Sequence, residues 1–99
     1  MTYTHTLSSF TLSRSDGTQY RFVPHNSGGA QGTYMRTDRP DLTIGWDPAW
    51  GWCARDGQTG RLAGVSFDLP AALQGPQPPV GRWVSAKGCK SYLYELRYD

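Results

Sequence analysis

The stretch Ile44-Gly45-Trp46-Asp47-Pro48-Ala49-Trp50-Gly51-Trp52-Cys53 packs three of the chain's four tryptophans into seven residues around an Asp-Pro turn. Proline fixes the backbone angle required at the second position of a tight turn, and Asp caps such a turn with its own side chain. The apolar residues on either side therefore fold back on each other as a hairpin, Leu42 to Trp46 leading in and Gly51 to Arg55 leading out. One aromatic side chain buries about 150–250 Å², so this hairpin anchors the fold. At least two of the three indoles are assigned to the interior; Trp50 or Trp52, lifted by the turn, is the one left to solvent, with Trp50 taken as the partner contact.

Two further turns extend the pattern. Asp16-Gly17 separates Phe10-Thr11-Leu12-Ser13 from Gln19-Tyr20-Arg21-Phe22-Val23-Pro24, and Asp-Gly between alternating apolar runs is a strong hairpin signal. Phe10 and Leu12 should meet Tyr20 and Phe22 across it. This first strand is read as starting as early as Thr2. Asp56-Gly57-Gln58-Thr59-Gly60 turns the chain into a third consecutive strand over Arg61 to Leu69, alternating at Val65, Phe67 and Leu69. Thr33 to Thr37 forms a short strand closed by Asp38-Arg39-Pro40-Asp41. The last strand runs over Lys90 to Tyr98, with Tyr92, Tyr94, Leu96 and Tyr98 on one face.

Composition agrees with a β fold. Glycine and proline supply 19 of the 99 residues, and an interior Gly costs a helix about 1 kcal/mol and an interior Pro about 3. Pro70 to Gly75 has proline at a permitted first position and room for one helical turn. Pro76-Gln77-Pro78-Pro79 must run extended. Isoleucine, leucine and valine together only equal the 13 aromatic residues, so the core is built largely from rings. The expectation is a single domain over 1–99, mainly β, with one antiparallel sheet of five to seven strands curled into a barrel or sandwich and one short helix near 70–75, an α+β variant being the nearest alternative.

The function classes are narrowed more by what the chain lacks. Its net charge of +2 is too mild to imply a nucleic-acid partner by itself. No apolar run reaches the length of a membrane span, and Met-Thr-Tyr-Thr-His-Thr does not resemble a signal peptide. A cytoplasmic protein with no membrane partner is expected, with Cys53 and Cys89 as free thiols. Nothing in the spacing of Cys53, Cys89, His5, His25 and the aspartates selects a catalytic trio or a zinc site, so no catalytic residue, metal or cofactor is assigned. The glycine-rich loop Asn26 to Gly32 reads as a surface connection, lacking the residues that complete a phosphate-binding motif.

Three function classes remain. The first is a small non-enzymatic protein-binding module, an inhibitor or regulatory subunit that occludes a surface of a larger macromolecule; an inhibitor encoded by a mobile element is one concrete version. Trp50, Tyr34 and Trp83 would serve as aromatic anchors, and Arg36, Arg39 and Arg82 as guanidinium forks for partner carboxylates. The second is a nucleic-acid-binding β-module. Leu69 to Tyr94 contains no carboxylate, and Arg82, Trp83, Lys87, Lys90 and Tyr92 interleave cations and rings as single-stranded nucleic acid requires. The third is an enzyme using His25 or a cysteine thiolate. A monomer and a homodimer are both open, since an exposed, tyrosine-rich final strand could pair edge to edge with its copy.

Overall fold

The computed structural model describes residues 8–25, 32–87 and 89–99. Eight strands follow one another around a closed antiparallel barrel: β1 (Phe10–Arg14), β2 (Gln19–His25), β3 (Thr33–Arg36), β4 (Leu42–Asp47), β5 (Gly51–Asp56), β6 (Leu62–Ser66), β7 (Gly81–Lys87) and β8 (Lys90–Tyr98). Each strand pairs with its sequence neighbours, and β8 returns to β1 through the register Phe10 to Tyr98 and Leu12 to Leu96. The expected curled antiparallel sheet is borne out, as a barrel rather than a sandwich and with eight strands where five to seven were expected. A single 3₁₀ turn, Ala71–Leu73, occupies the place of the short helix.

The predicted hairpins have the predicted partners. Phe10 lies opposite Phe22 and Leu12 opposite Tyr20, and the Arg14 and Thr18 backbones are bonded across the Asp16-Gly17 turn. Trp46 lies opposite Trp52. On β8 the face Tyr92, Tyr94, Leu96, Tyr98 turns inward, and Ser91, Leu93, Glu95 and Arg97 turn out. Strand period two makes one inward and one outward set inevitable once the sheet closes.

Rings fill the interior. Phe10 stacks on Phe22 at 5.3 Å between centroids and meets the edge of Tyr34 at 5.0 Å; Trp52 in turn packs edge-on against Tyr34 and Trp46, each at 6.1 Å. Offset and edge-to-face contacts of this kind add to the area each ring buries. Trp46 and Trp52 thus pack inside while Trp50 stays exposed.

Three readings change. β7 is a strand that the sequence pattern did not single out, because both of its faces carry mixed side chains. β6 is shorter than expected and ends at Ser66. Its inward positions are Gly64 and Ser66, opposite Ala54 and Trp83, so Val65 belongs to the outward set and Phe67 lies beyond the strand in solvent. Closure also pairs β8 with β1 over Tyr94 to Tyr98 as well as with β7, so the final strand is not the free edge that the sequence suggested. The strand start at Thr2, His5 and the loop residues Asn26 to Gln31 lie outside the described residues.

Because connections alternate between the two ends of an up-and-down barrel, the β2–β3, β4–β5 and β6–β7 links share one end. The β1–β2, β3–β4, β5–β6 and β7–β8 links share the other. No helix among the described residues is long and apolar enough to cross a membrane.

Candidate functional site

The end carrying the β4–β5 and β6–β7 links is built from the barrel's own aromatic residues. Residues 69–80 lie across it, and three rings, two buried and one half-buried, hold them there. Trp52 Nε1 donates to the Gly75 carbonyl at 3.0 Å, Trp83 Nε1 to the Pro79 carbonyl at 3.0 Å, and the Tyr98 hydroxyl to the Pro78 carbonyl. A buried indole N–H or phenol O–H needs a partner, and the covering segment supplies it. Gln74 adds a clip, its Nε2 donating to the Leu69 carbonyl at 2.7 Å and its Oε1 accepting the Trp52 backbone N–H at 2.8 Å. Pro78, within the segment, is fully buried.

The adjoining β4–β5 turn is equally well held. Asp47 Oδ1 accepts the Ala49 N–H at 2.8 Å, its carbonyl accepts the Trp50 N–H at 3.3 Å, and its Oδ2 takes Arg55 Nη2 at 2.8 Å. The Ala49 N–H and then Arg55 keep the Asp47 carboxyl below the usual carboxylate range. An Ala71 backbone atom lies so near Gly51 that an added methyl would stand 3.0 Å from it, so the 3₁₀ turn sits directly against this hairpin.

These two links present apolar side chains to solvent. Among the described residues five large hydrophobic side chains are exposed, and four of them are here: Trp50 (51%), Phe67 (55%), Leu73 (68%) and Val80 (66%). The fifth, Leu93, is alone on the outer face of β8. Arg82 lies at the same end, its guanidinium 4.9 Å from the Phe67 ring centroid and forked onto Asp68 at 2.7 and 3.0 Å. That pair pulls the Asp68 carboxyl below its ordinary range.

The residues expected to act together are spread apart. Trp50 and Arg82 stand on the apolar end. Tyr34 and Trp83, expected as surface anchors, are inside the barrel, because β3 and β7 place them on the inward phase where the core needs rings. Arg36 and Arg39 belong to the opposite end. Arg36 is buried, with Nε 2.6 Å from Asp38 Oδ1 and its guanidinium 4.0 Å above the Tyr20 ring, while Arg39 is shared between Asp41 and Asp56 at 3.1 and 3.6 Å. In the alternative strip, Trp83 and Tyr92 face inward, Arg82 faces out, Lys90 is exposed at the start of β8 on the same phase as Tyr92, and the Lys87 side chain lies outside the described residues. The residues that sequence reasoning missed are Phe67, Leu73 and Val80. A leucine on a helical turn too short to bury it, and a valine following a proline run, were the available signals.

The remaining chemistry is modest. Cys53 is buried and Cys89 exposed, both free. Burial pushes the Cys53 thiol up, with Arg55 opposing, which is the reverse of what activates a nucleophile. No cluster of metal-ligating side chains occurs among the described residues. Compared with protein-family models, curated proteins and solved structures, the chain matches none.

Proposed function

We propose that the chain is a small non-enzymatic protein-binding module, an inhibitor or regulatory subunit of the cytoplasm, and that its apolar end docks on a partner protein. The observation that supports this reading is the grouping of Trp50, Phe67, Leu73 and Val80 on two adjoining links at one end. Apolar side chains exposed singly need no explanation, whereas several together mark an interaction surface. Tryptophan and arginine are the residue types that dominate interface energies, and Trp50 and Arg82 are placed to act so.

The anchoring of the covering segment strengthens the reading. Leu73 and Val80 stand in solvent on backbone pinned by Trp52, Trp83, Tyr98 and Gln74. A preformed surface loses little conformational freedom on binding. Nucleic-acid binding remains the second reading, but its strip is divided between the two faces of the sheet and no arrangement favours it.

Affinity capture from the native host tests the proposal, comparing the wild-type chain with Trp50→Ala and with Lys90→Ala. A partner retained by wild type and Lys90→Ala, and lost with Trp50→Ala, is the expected result. Capture unchanged by Trp50→Ala, or binding of oligonucleotides that weakens steeply with salt, would overturn it.

A further inference from the structure

At the end away from Trp50 the barrel is not filled. A cavity of about 290 Å³ runs from the interior toward the β5–β6 turn. Its cause is a single rung of small side chains: Ala54 on β5 lies opposite Gly64 on β6, which lies opposite Ser85 on β7. Gly64 stands where any side chain would press on its neighbour, since an added Cβ would lie 3.2 Å from the Val84 carbonyl. Facing this rung are Leu12, Phe22 and Trp83, all buried. An eight-stranded barrel has an interior that side chains can just fill or that can hold one small ligand, and here three adjacent strands withhold the side chains.

Two polar features mark the space. Ser85 lines the cavity, and its hydroxyl is fully buried without a hydrogen-bond partner among the described residues, reaching the space by turning about its χ1. An unpaired buried hydroxyl is costly, and a ligand atom would relieve it. At the mouth, Arg36 is committed to Asp38 and Arg39 is shared between Asp41 and Asp56, whereas Arg61 is paired with no carboxylate among the described residues. The cavity is about twice the ~150 Å³ that accommodates benzene, which is the room for two fused rings.

We propose that this cavity is a binding site for a small planar aromatic carboxylate. The ring system lies among Leu12, Phe22 and Trp83, an atom of the ligand bonds the Ser85 hydroxyl, and the carboxylate emerges beside Arg61. Two-ring size follows from the volume, an apolar body from the walls, and a single negative charge from Arg61, the guanidinium at the mouth that no carboxylate among the described residues pairs. This site is at the other end of the barrel from the proposed docking face and stands or falls independently of it.

The test is titration of 2-naphthoate into the isotopically labelled protein, followed by amide chemical shifts, with neutral 2-naphthalenemethanol as the comparison. Saturable shifts centred on Ala54, Gly64 and Ser85 are expected, with the neutral alcohol bound about tenfold more weakly. Arg61→Gln, at an exposed position, should erase that tenfold preference while leaving the alcohol's affinity unchanged. Ser85→Ala should weaken naphthoate binding severalfold and leave the free protein as stable or more so, a pair of effects that simple loss of structure would not produce. Ala54→Phe, which fills the rung, should abolish the shifts. Shifts that do not saturate, that centre on Trp50 and Leu73, or that are equal for acid and alcohol would overturn the assignment, as would a preference for the acid that survives in Arg61→Gln.

Discussion

Gln74 accepts the backbone N–H of Trp52 through its Oε1 at 2.8 Å, joining the segment that covers one end of the barrel to the first residues of β5. The same amide donates from Nε2 to the Leu69 carbonyl, so one side chain fixes both the start and the finish of the 3₁₀ turn. Gln74→Ala leaves the Trp52 N–H and the Leu69 carbonyl without these partners. The expected loss is about 1–3 kcal/mol by urea unfolding, with faster amide exchange over residues 70–75. Unchanged exchange there would show that the indole and phenol contacts suffice alone.

Gly51 has φ +75, and an added Cβ would lie 2.5 Å from Gln74 Oε1. Gly60 has a similar φ of +71 but open space around it. Both Gly→Ala changes carry the left-handed backbone cost, about 1–2 kcal/mol, and only Gly51→Ala adds the collision. Gly51→Ala should therefore be clearly the more destabilising of the two in thermal melts. The difference between them measures how firmly the covering segment is seated.

Trp50 and Trp52 are two residues apart and have opposite expected effects. Trp50 is half-exposed at the turn and Trp52 is fully buried. Trp50→Ala should change stability by no more than about 0.5 kcal/mol, while removing partner capture. Trp52→Ala opens a cavity and frees the Gly75 carbonyl, and should cost about 3–5 kcal/mol. A large stability loss from Trp50→Ala would turn the exposed ring into a structural element and deprive the docking surface of its anchor.

These contrasts show which parts of the molecule were legible in advance. The Asp16-Gly17 and Asp47-Pro48 turns carry their own backbone chemistry, so the hairpins they close follow from local sequence, whereas the choice of Trp50 over Trp52 as the exposed ring is settled only by the barrel's inward phase. The closing strand was legible because four bulky residues share one phase. β6 was not, since its inward positions are Gly64 and Ser66 and the visible apolar alternation at Val65 and Phe67 lies on the other phase. Periodicity identifies the face that carries large side chains, and where a barrel keeps an unfilled space that face is the outer one. Tyr34 and Trp83 were misplaced for a related reason: aromatic content says that rings are available for a surface, whereas closure of the sheet decides which of them the interior takes.

The two thiols should separate cleanly by reactivity. Cys89 is exposed, whereas Cys53 is buried and its thiol is pushed up by that burial. Brief treatment with iodoacetamide near neutral pH is expected to label Cys89 alone, and Cys53 should react only once denaturant opens the barrel. Mass mapping of the labelled peptides checks this. Equal labelling of both under folding conditions would mean that β5 opens readily to solvent.

Stability should have a plateau with a flank at each end of the pH scale. On the acid side, Arg14 lowers Asp16, Arg36 lowers Asp38, Arg39 lowers Asp41, Arg82 lowers Asp68, and the Ala49 N–H lowers Asp47. A carboxyl whose folded value lies below its unfolded one stabilises the fold above about pH 4, and that contribution is lost as pH falls through the lowered values. On the alkaline side, burial raises both Tyr34 and Tyr98. Their neutral forms contribute fully below about pH 10, the unfolded value, and the contribution disappears as pH rises through the folded ones. Urea midpoints measured against pH should hence be level through the neutral range, fall in acid, and fall again in alkali. In an ultraviolet titration the phenols of Tyr34 and Tyr98 should ionise late and together with unfolding, so that Tyr98→Phe removes part of the alkaline loss. Because these carboxylates are exposed or half-exposed, added salt should shallow the acid flank and leave the alkaline one, which arises from burial, nearly unchanged. Flanks that respond to salt alike would show that the tyrosine shifts have a charge origin rather than a desolvation one.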